Sequence, residues 1–118
     1  MTESSGTAEQ DRLTITHASV EGVSVVTVRG EIDHHTGGPL RRALTRPGSP
    51  GIVVDLSGVT FMDSSGINVL ITAQHTALET QGWLRLAGPS PSVLRTMQLV
   101  GLDEVIAWYP TLREALDA

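Results

Sequence analysis

The residues best placed to do chemistry run from Val59 to Gly66, in the order Val-Thr-Phe-Met-Asp-Ser-Ser-Gly. Small polar residues here join an apolar run to the start of a long helical pattern. Asp63 or Ser64 can accept hydrogen bonds from the orphan amides of a helix's first turn, and capping is the commonest role of such residues. A hydroxyl held there is also well placed to accept a phosphoryl group. A phosphoserine adds a charge of about -1.5 to -2 and three acceptor oxygens. The positive end of the helix dipole tolerates that charge, whereas Asp63 beside it repels it. Modification of such a site switches binding without unfolding the chain.

A second polar cluster, Gly30-Glu-Ile-Asp-His-His-Thr36, closes the second predicted strand. It reads as a strand-to-helix turn capped by Thr36 rather than a metal site. Adjacent His34 and His35 rarely meet one ion unless other ligands converge, and only Glu31, Asp33 and the remote His17 and His75 are available. A serine hydrolase would need Ser64 or Ser65 beside one of these imidazoles, with Asp33 orienting it. The Gly-x-Ser-x-Gly elbow is absent, and Asp63 crowds an anionic intermediate with like charge. No Gly-x-Gly-x-x-Gly run occurs, and a chain without lysine has no phosphate-loop lysine. The chain reads as a binding module, with no catalytic residue, no cofactor and no metal of its own.

The elements that must position these residues follow from pattern. From Leu13 to Thr16 apolar and polar residues alternate, and after the turn signal Glu21-Gly22 comes the β-branched run Val23 to Val28, which together predict a hairpin. Thr36 begins a short helix holding Leu40, Ala43 and Leu44, and the segment from Arg46 to Gly51 stops it before Pro47. Ile52 to Leu56 is apolar apart from Asp55, as expected of a strand buried on both faces. Ile67, Leu70, Ile71, Ala77 and Leu78 then recur at helical spacing until Gly82, in the longest predicted helix. A strand at Trp83 to Ala87, a helix at Pro91 to Leu99, a short strand at Val105 to Ala107 and a final helix at Thr111 to Leu116 complete the order. Thr111 and Glu114 have capping-box spacing. Phe61, Met62 and Met97 read as core, with Met62 partly open to a partner beside the polar loop. Trp83 and Trp108 read as strand residues packed on helices. Two strands followed by alternating strands and helices call for a single α/β domain, a mixed sheet of four to five strands with about four helices against it.

Composition agrees and excludes other classes. The chain has 118 residues, enough for one domain that buries roughly two-thirds of the unfolded surface. Its single Phe, single Tyr and two Trp make the core aliphatic. Without cysteine there are no disulfides and no thiolate chemistry. The net charge is -5 and no basic stripe occurs, which argues against direct nucleic-acid binding. No apolar run approaches the roughly 20 residues of a spanning helix and no signal peptide is evident, so a cytoplasmic chain without membrane contact is expected. Residues 1–10 read as a disordered leader before a domain at 11–118. Three acids lie at Glu3, Glu9 and Asp11, so residues 12–118 hold ten acids against eight arginines. One phosphate on Ser64 would roughly double that net charge of -2.

Phe61-Met-Asp-Ser-Ser-Gly66 ahead of an amphipathic helix, with Gly30-Glu-Ile-Asp-His-His-Thr36 upstream, resembles the bacterial anti-sigma factor antagonists of the STAS domain family. The resemblance runs from about residue 11 to 118 and includes Ala87-Gly-Pro-Ser-Pro-Ser-Val-Leu94 and Val100-Gly-Leu-Asp103. It implies a partner-switching protein, monomeric when free. The unphosphorylated form would bind an anti-sigma factor with serine kinase activity and so release a sigma factor. The kinase would phosphorylate Ser64, and a serine phosphatase would reset it. Carried over with Ser64 are Asp33, as a contact or loop-shaping residue, and Asp63, Ser65 and Gly66, as the presenting loop. Asn68 departs from the family pattern, where a Gly often stands, and adds bulk on a helix face implied to touch the partner. A STAS subunit regulating a membrane lipid or anion transporter is the alternative that the resemblance allows.

Overall fold

The aliphatic runs become the middle of a five-stranded sheet in a computed structural model that describes residues 13–45 and 50–118. The chain order is β1 (Leu13–Val20), β2 (Val23–Ile32), α1 (Gly37–Leu44), β3 (Gly51–Met62), α2 (Ser64–Glu79), β4 (Trp83–Ala87), α3 (Pro91–Leu99), a 3-10 turn (Leu102–Glu104), β5 (Trp108–Tyr109) and α4 (Leu112–Asp117). The strands lie in sequence order across the sheet. β1 and β2 are antiparallel, and every later pair is parallel. Each parallel pair needs a crossover, and α1, α2 and α3 supply them.

β3 is covered on both sides. Val54 and Leu56 point into the main core with Leu40 of α1, Leu70 of α2 and Met97 of α3. Val53 points the other way, onto Ala115 of α4, in a smaller cluster that takes in Trp83 and Tyr109. The crossover helices thus share one face, and among the described helices α4 alone covers part of the other. Burial rather than propensity holds α2 in place, since its sequence mixes Gly, Asn, Thr and β-branched residues with its alanines and leucines. Its Ile67, Val69 and Leu70 are buried, at roughly 1.5–3 kcal/mol each. At the end of the chain, Thr111 Oγ1 accepts from the Glu114 amide (3.1 Å) and caps α4. Arg113 ties α4 to the β1–β2 turn through Glu21 (2.9 Å) and also reaches Asp117 (2.9 Å). Those hydrogen bonds, Glu21 first, hold the guanidinium pKa above its ordinary value.

Among the described residues the mixed sheet and its four helices have the predicted order, but several boundaries differ. β3 runs to Met62, not Leu56, because its ladder with β2 continues past the polar residues Ser57, Gly58 and Thr60 by way of two register shifts. β4 pairs only with Gly51 to Asp55, so among the described strands the second half of β3 pairs with β2 alone. β1 and β2 likewise extend beyond Thr16 and Val28. The last strand is Trp108–Tyr109 rather than Val105 to Ala107. Val105 closes the 3-10 turn through its amide to Leu102 O (3.0 Å), Ile106 drops into the core, and pairing starts only where the Leu86 amide meets Ala107 O (3.0 Å). Trp108 is a strand residue packed on the main core, as expected. The leader at 1–10 and the helix stop at Arg46 to Ser49 lie outside the described residues.

Candidate functional site

The polar loop forms where two parallel strands end side by side. Ile32 of β2 pairs with Met62 of β3, and the Asp63 amide donates to Ile32 O (3.1 Å). This bond ties the loop after β3 to the Asp33–Thr36 turn after β2. The two clusters read from the sequence are therefore neighbours at one end of the sheet.

Asp63 is the N-cap of α2. Its backbone is extended, at φ -105° and ψ -169°, and its Oδ1 accepts from the amides of Ser65 (2.8 Å) and Gly66 (3.3 Å). The Ile67 amide donates to Asp63 O (3.1 Å) and begins the helical ladder. With Asp63 meeting the orphan donors, Ser64 is released from capping. Its side chain is exposed on the first residue of α2, and its hydroxyl forms no hydrogen bond among the described residues. Ser65 is half-buried.

Gly66 fits because it has no side chain. A Cβ there would stand 2.6 Å from Met62 Cγ and 2.8 Å from Ile32 Cγ2, both on buried residues. Met62 is 4% exposed, so it supports the loop from below and offers no surface to a partner. That corrects the expectation that Met62 is partly open to a partner. Phe61, expected in the core, is instead 49% exposed. It pairs with Glu31 across β2, on the part of the sheet that the crossover helices leave open. The irregularity between Gly30 and Glu31 breaks the alternation that sequence reading relies on, and so turns Phe61 outward. Asn68 is exposed on α2, one turn beyond Ser64.

Asp33 is buried and shapes the turn. Its Oδ1 accepts from the amides of His35 (2.9 Å) and Thr36 (3.1 Å), and its carbonyl accepts from the Gly37 amide (2.8 Å). Thr36 stands at the N-cap of α1 but makes no side-chain cap bond, contrary to expectation. Its hydroxyl accepts from the Asp33 amide (2.8 Å) and donates to Glu31 O (2.8 Å), closing the turn from within. The His34 and His35 rings are exposed and lie 3.9 Å apart, tilted by 40°. Neither forms a hydrogen bond with Ser64 or Ser65 among the described residues, and the Asp33 carboxylate serves backbone amides. The hydroxyl-to-imidazole contact that a nucleophile–base pair needs is thus not formed among the described residues. Among the described residues no three His, Asp or Glu side chains converge on a point that could hold a metal ion.

The mixed sheet with its crossover helices has known counterparts. The profile of the STAS domain matches residues 14–115. The chain belongs to the STAS family. The anti-sigma-F factor antagonist RsfB of Mycobacterium tuberculosis is 31% identical over 109 residues, covering 90% of this chain and 88% of RsfB. The crystal structure of an anti-sigma factor antagonist from Mycobacterium paratuberculosis superposes with a TM-score of 0.83 at 34% identity, over 91% of this chain and 93% of that one. The anti-sigma factor antagonist SpoIIAA in its unphosphorylated form gives 0.74 at 26% identity, over 88% and 94% of the two chains. Its phosphorylated form, from Bacillus, gives 0.65 at 25% identity, over 88% and 97%. The STAS fold of this chain is thus the one found in proteins that are named for opposing anti-sigma factors. None of its described helices is long and apolar enough to cross a membrane.

Proposed function

We propose that this protein is an anti-sigma factor antagonist. In this reading its unphosphorylated form binds an anti-sigma factor that is also a serine kinase, and so frees a sigma factor. Phosphorylation of Ser64 ends the complex, and a serine phosphatase restores it. The observation that carries the reading is the division of labour between Asp63 and Ser64: the carboxylate caps α2 and leaves the neighbouring hydroxyl exposed and uncommitted. The names of the relatives, and the existence of SpoIIAA in both phosphorylation states, support it.

In the transfer, Ser64 Oγ forms a bond to the γ-phosphorus of the kinase's ATP, the bond to ADP breaks, and the hydroxyl proton leaves to a base on the kinase. The chain itself supplies the acceptor and its position. The phosphoryl group then stands in an interface closed enough for the kinase's own ATP to reach Ser64. Burying an unpaired dianion there costs several kcal/mol, and about 4 kcal/mol is a thousandfold loss of affinity. The positive end of the α2 dipole offsets part of the repulsion from Asp63, and the remaining cost is small enough that the domain itself stays folded.

The test is intact mass after incubation with the cognate anti-sigma factor kinase and ATP with magnesium. One added phosphate on the native chain and none on Ser64→Ala is the expected result. An unmodified native chain, or Ser64→Ala modified to the same extent, overturns the assignment. Recovery of a transporter ATPase instead of a serine kinase from pull-downs with the native chain overturns the wider reading.

A further inference from the structure

Strand β1 ends the sheet, paired with β2 over its full length and with no strand on its outer side among the described residues. Proteins blunt such edges with Lys, Pro, bulges or a covering element. Leu13–Val20 has no Lys, Arg, Asp, Glu or Pro, its register with β2 is unbroken, and five of its eight residues are exposed. The opposite edge, β5, has only two residues. Beside β1 runs an open groove of about 350 Å³, lined by Ile15, His17, Pro39, Arg42 and Ala43, between the strand and α1.

The charge around this groove is one-sided. β1 and α1 together hold Arg41 and Arg42 and no acid, and both arginines are exposed. Among the described residues neither forms an ion pair. The guanidinium of Arg42 turns back along α1, its Nη1 lying 3.6 Å from where a Cβ on Gly38 would be. On a chain of net charge -5, the groove thus sets an exposed cation, Arg42, beside the apolar side chains of Ile15, Pro39 and Ala43.

We propose that the β1 edge and the adjoining groove form a docking site for an extended acidic segment of a partner protein. Its main chain adds to β1 as a sixth strand. Alternate side chains then point toward α1, where an apolar one enters beside Ile15 and Pro39 and a carboxylate reaches Arg42. A second copy of this chain fits worse, because two-fold pairing of β1 brings like-charged α1 helices together. β1 lies two strand spacings, about 10 Å, from β3. The site is separate from Ser64, and the inference does not rest on the switch proposed above.

Selection of short random peptides displayed on phage against the full-length chain tests this, with Arg42→Glu and the milder Arg42→Ala in parallel. The expected winners carry Asp or Glu among alternating β-branched residues. A synthetic winner is expected to shift the amide resonances of Thr14 to Ala18 and Leu40 to Ala43, and to bind Arg42→Glu about tenfold more weakly. Winners without an acidic bias, shifts elsewhere, or equal affinity for the Arg42 variants overturn the proposal. So does concentration-dependent self-association that occupies the same amides.

Discussion

Replacing Asp63 by Ala and by Asn separates the two roles that the structure gives this side chain. Asp63 Oδ1 accepts a short bond from the Ser65 amide (2.8 Å) and a longer one from the Gly66 amide (3.3 Å). Asp63→Ala removes both and leaves two orphan donors at the start of the longest helix, a loss of about 1–2 kcal/mol. For a domain of this size that lowers the melting midpoint by roughly 4–8 °C. Asp63→Asn keeps the acceptor and is expected to cost only a few tenths of a kcal/mol. With phosphoserine installed at position 64 the order changes. Taking a charge near -2 on the adjoining residue at a separation of about 5–6 Å, the repulsion from the Asp63 carboxylate in a mostly aqueous setting is roughly 1.5–3 kcal/mol. The helix dipole returns about 0.3–1 kcal/mol, so repulsion prevails. Phosphorylation should therefore lower the midpoint of the native chain and raise that of Asp63→Asn slightly, where only the dipole contribution remains. Scanning calorimetry of the six species at low salt measures all of this. Equal midpoints for Asp63→Ala and Asp63→Asn would refute the capping argument, and an equal phosphate effect in the native and Asn chains would refute the electrostatic one.

Gly66→Ala gains helix propensity of up to about 1 kcal/mol but drives a methyl into Met62 and Ile32. Overpacking at 1–3 kcal/mol should win, and chemical denaturation should show net destabilisation. Thr36→Val keeps the shape but removes the hydroxyl that accepts from the Asp33 amide and donates to the Glu31 carbonyl, at about 1–3 kcal/mol, and amide exchange at Asp33 should accelerate; unchanged exchange would count against the internal closure of the turn. Arg113→Ala is expected to alter the melting midpoint little, and less still in high salt, since its ion pairs lie in water. The raised guanidinium pKa stabilises the fold at every pH below its unfolded value, so across the working range the arginine itself adds no pH dependence.

Much of this was legible in the residues because burial and capping speak through pattern. Val53 and Val54, adjacent and both fully buried on opposite faces, are what a continuous apolar run predicts for a central parallel strand. Ser90, Thr111 and Asp63 cap the helices that follow them. The loop could be placed because a polar cluster between a buried strand and a long amphipathic helix has one place to go. What stayed hidden depends on pairing between distant strands. The shifts that carry β3 on to Met62 and turn Phe61 outward come from its ladder with β2, and local sequence does not encode them. Whether Asp63 or Ser64 did the capping was likewise open, and that choice decides which side chain is free.

Titration calorimetry of the cognate anti-sigma factor against two forms of the full-length chain, with serine and with phosphoserine at position 64, tests the central claim most directly. About a thousandfold weaker binding of the phosphorylated form, with both forms folded, is the predicted result. Equal affinity of the two forms would contradict it.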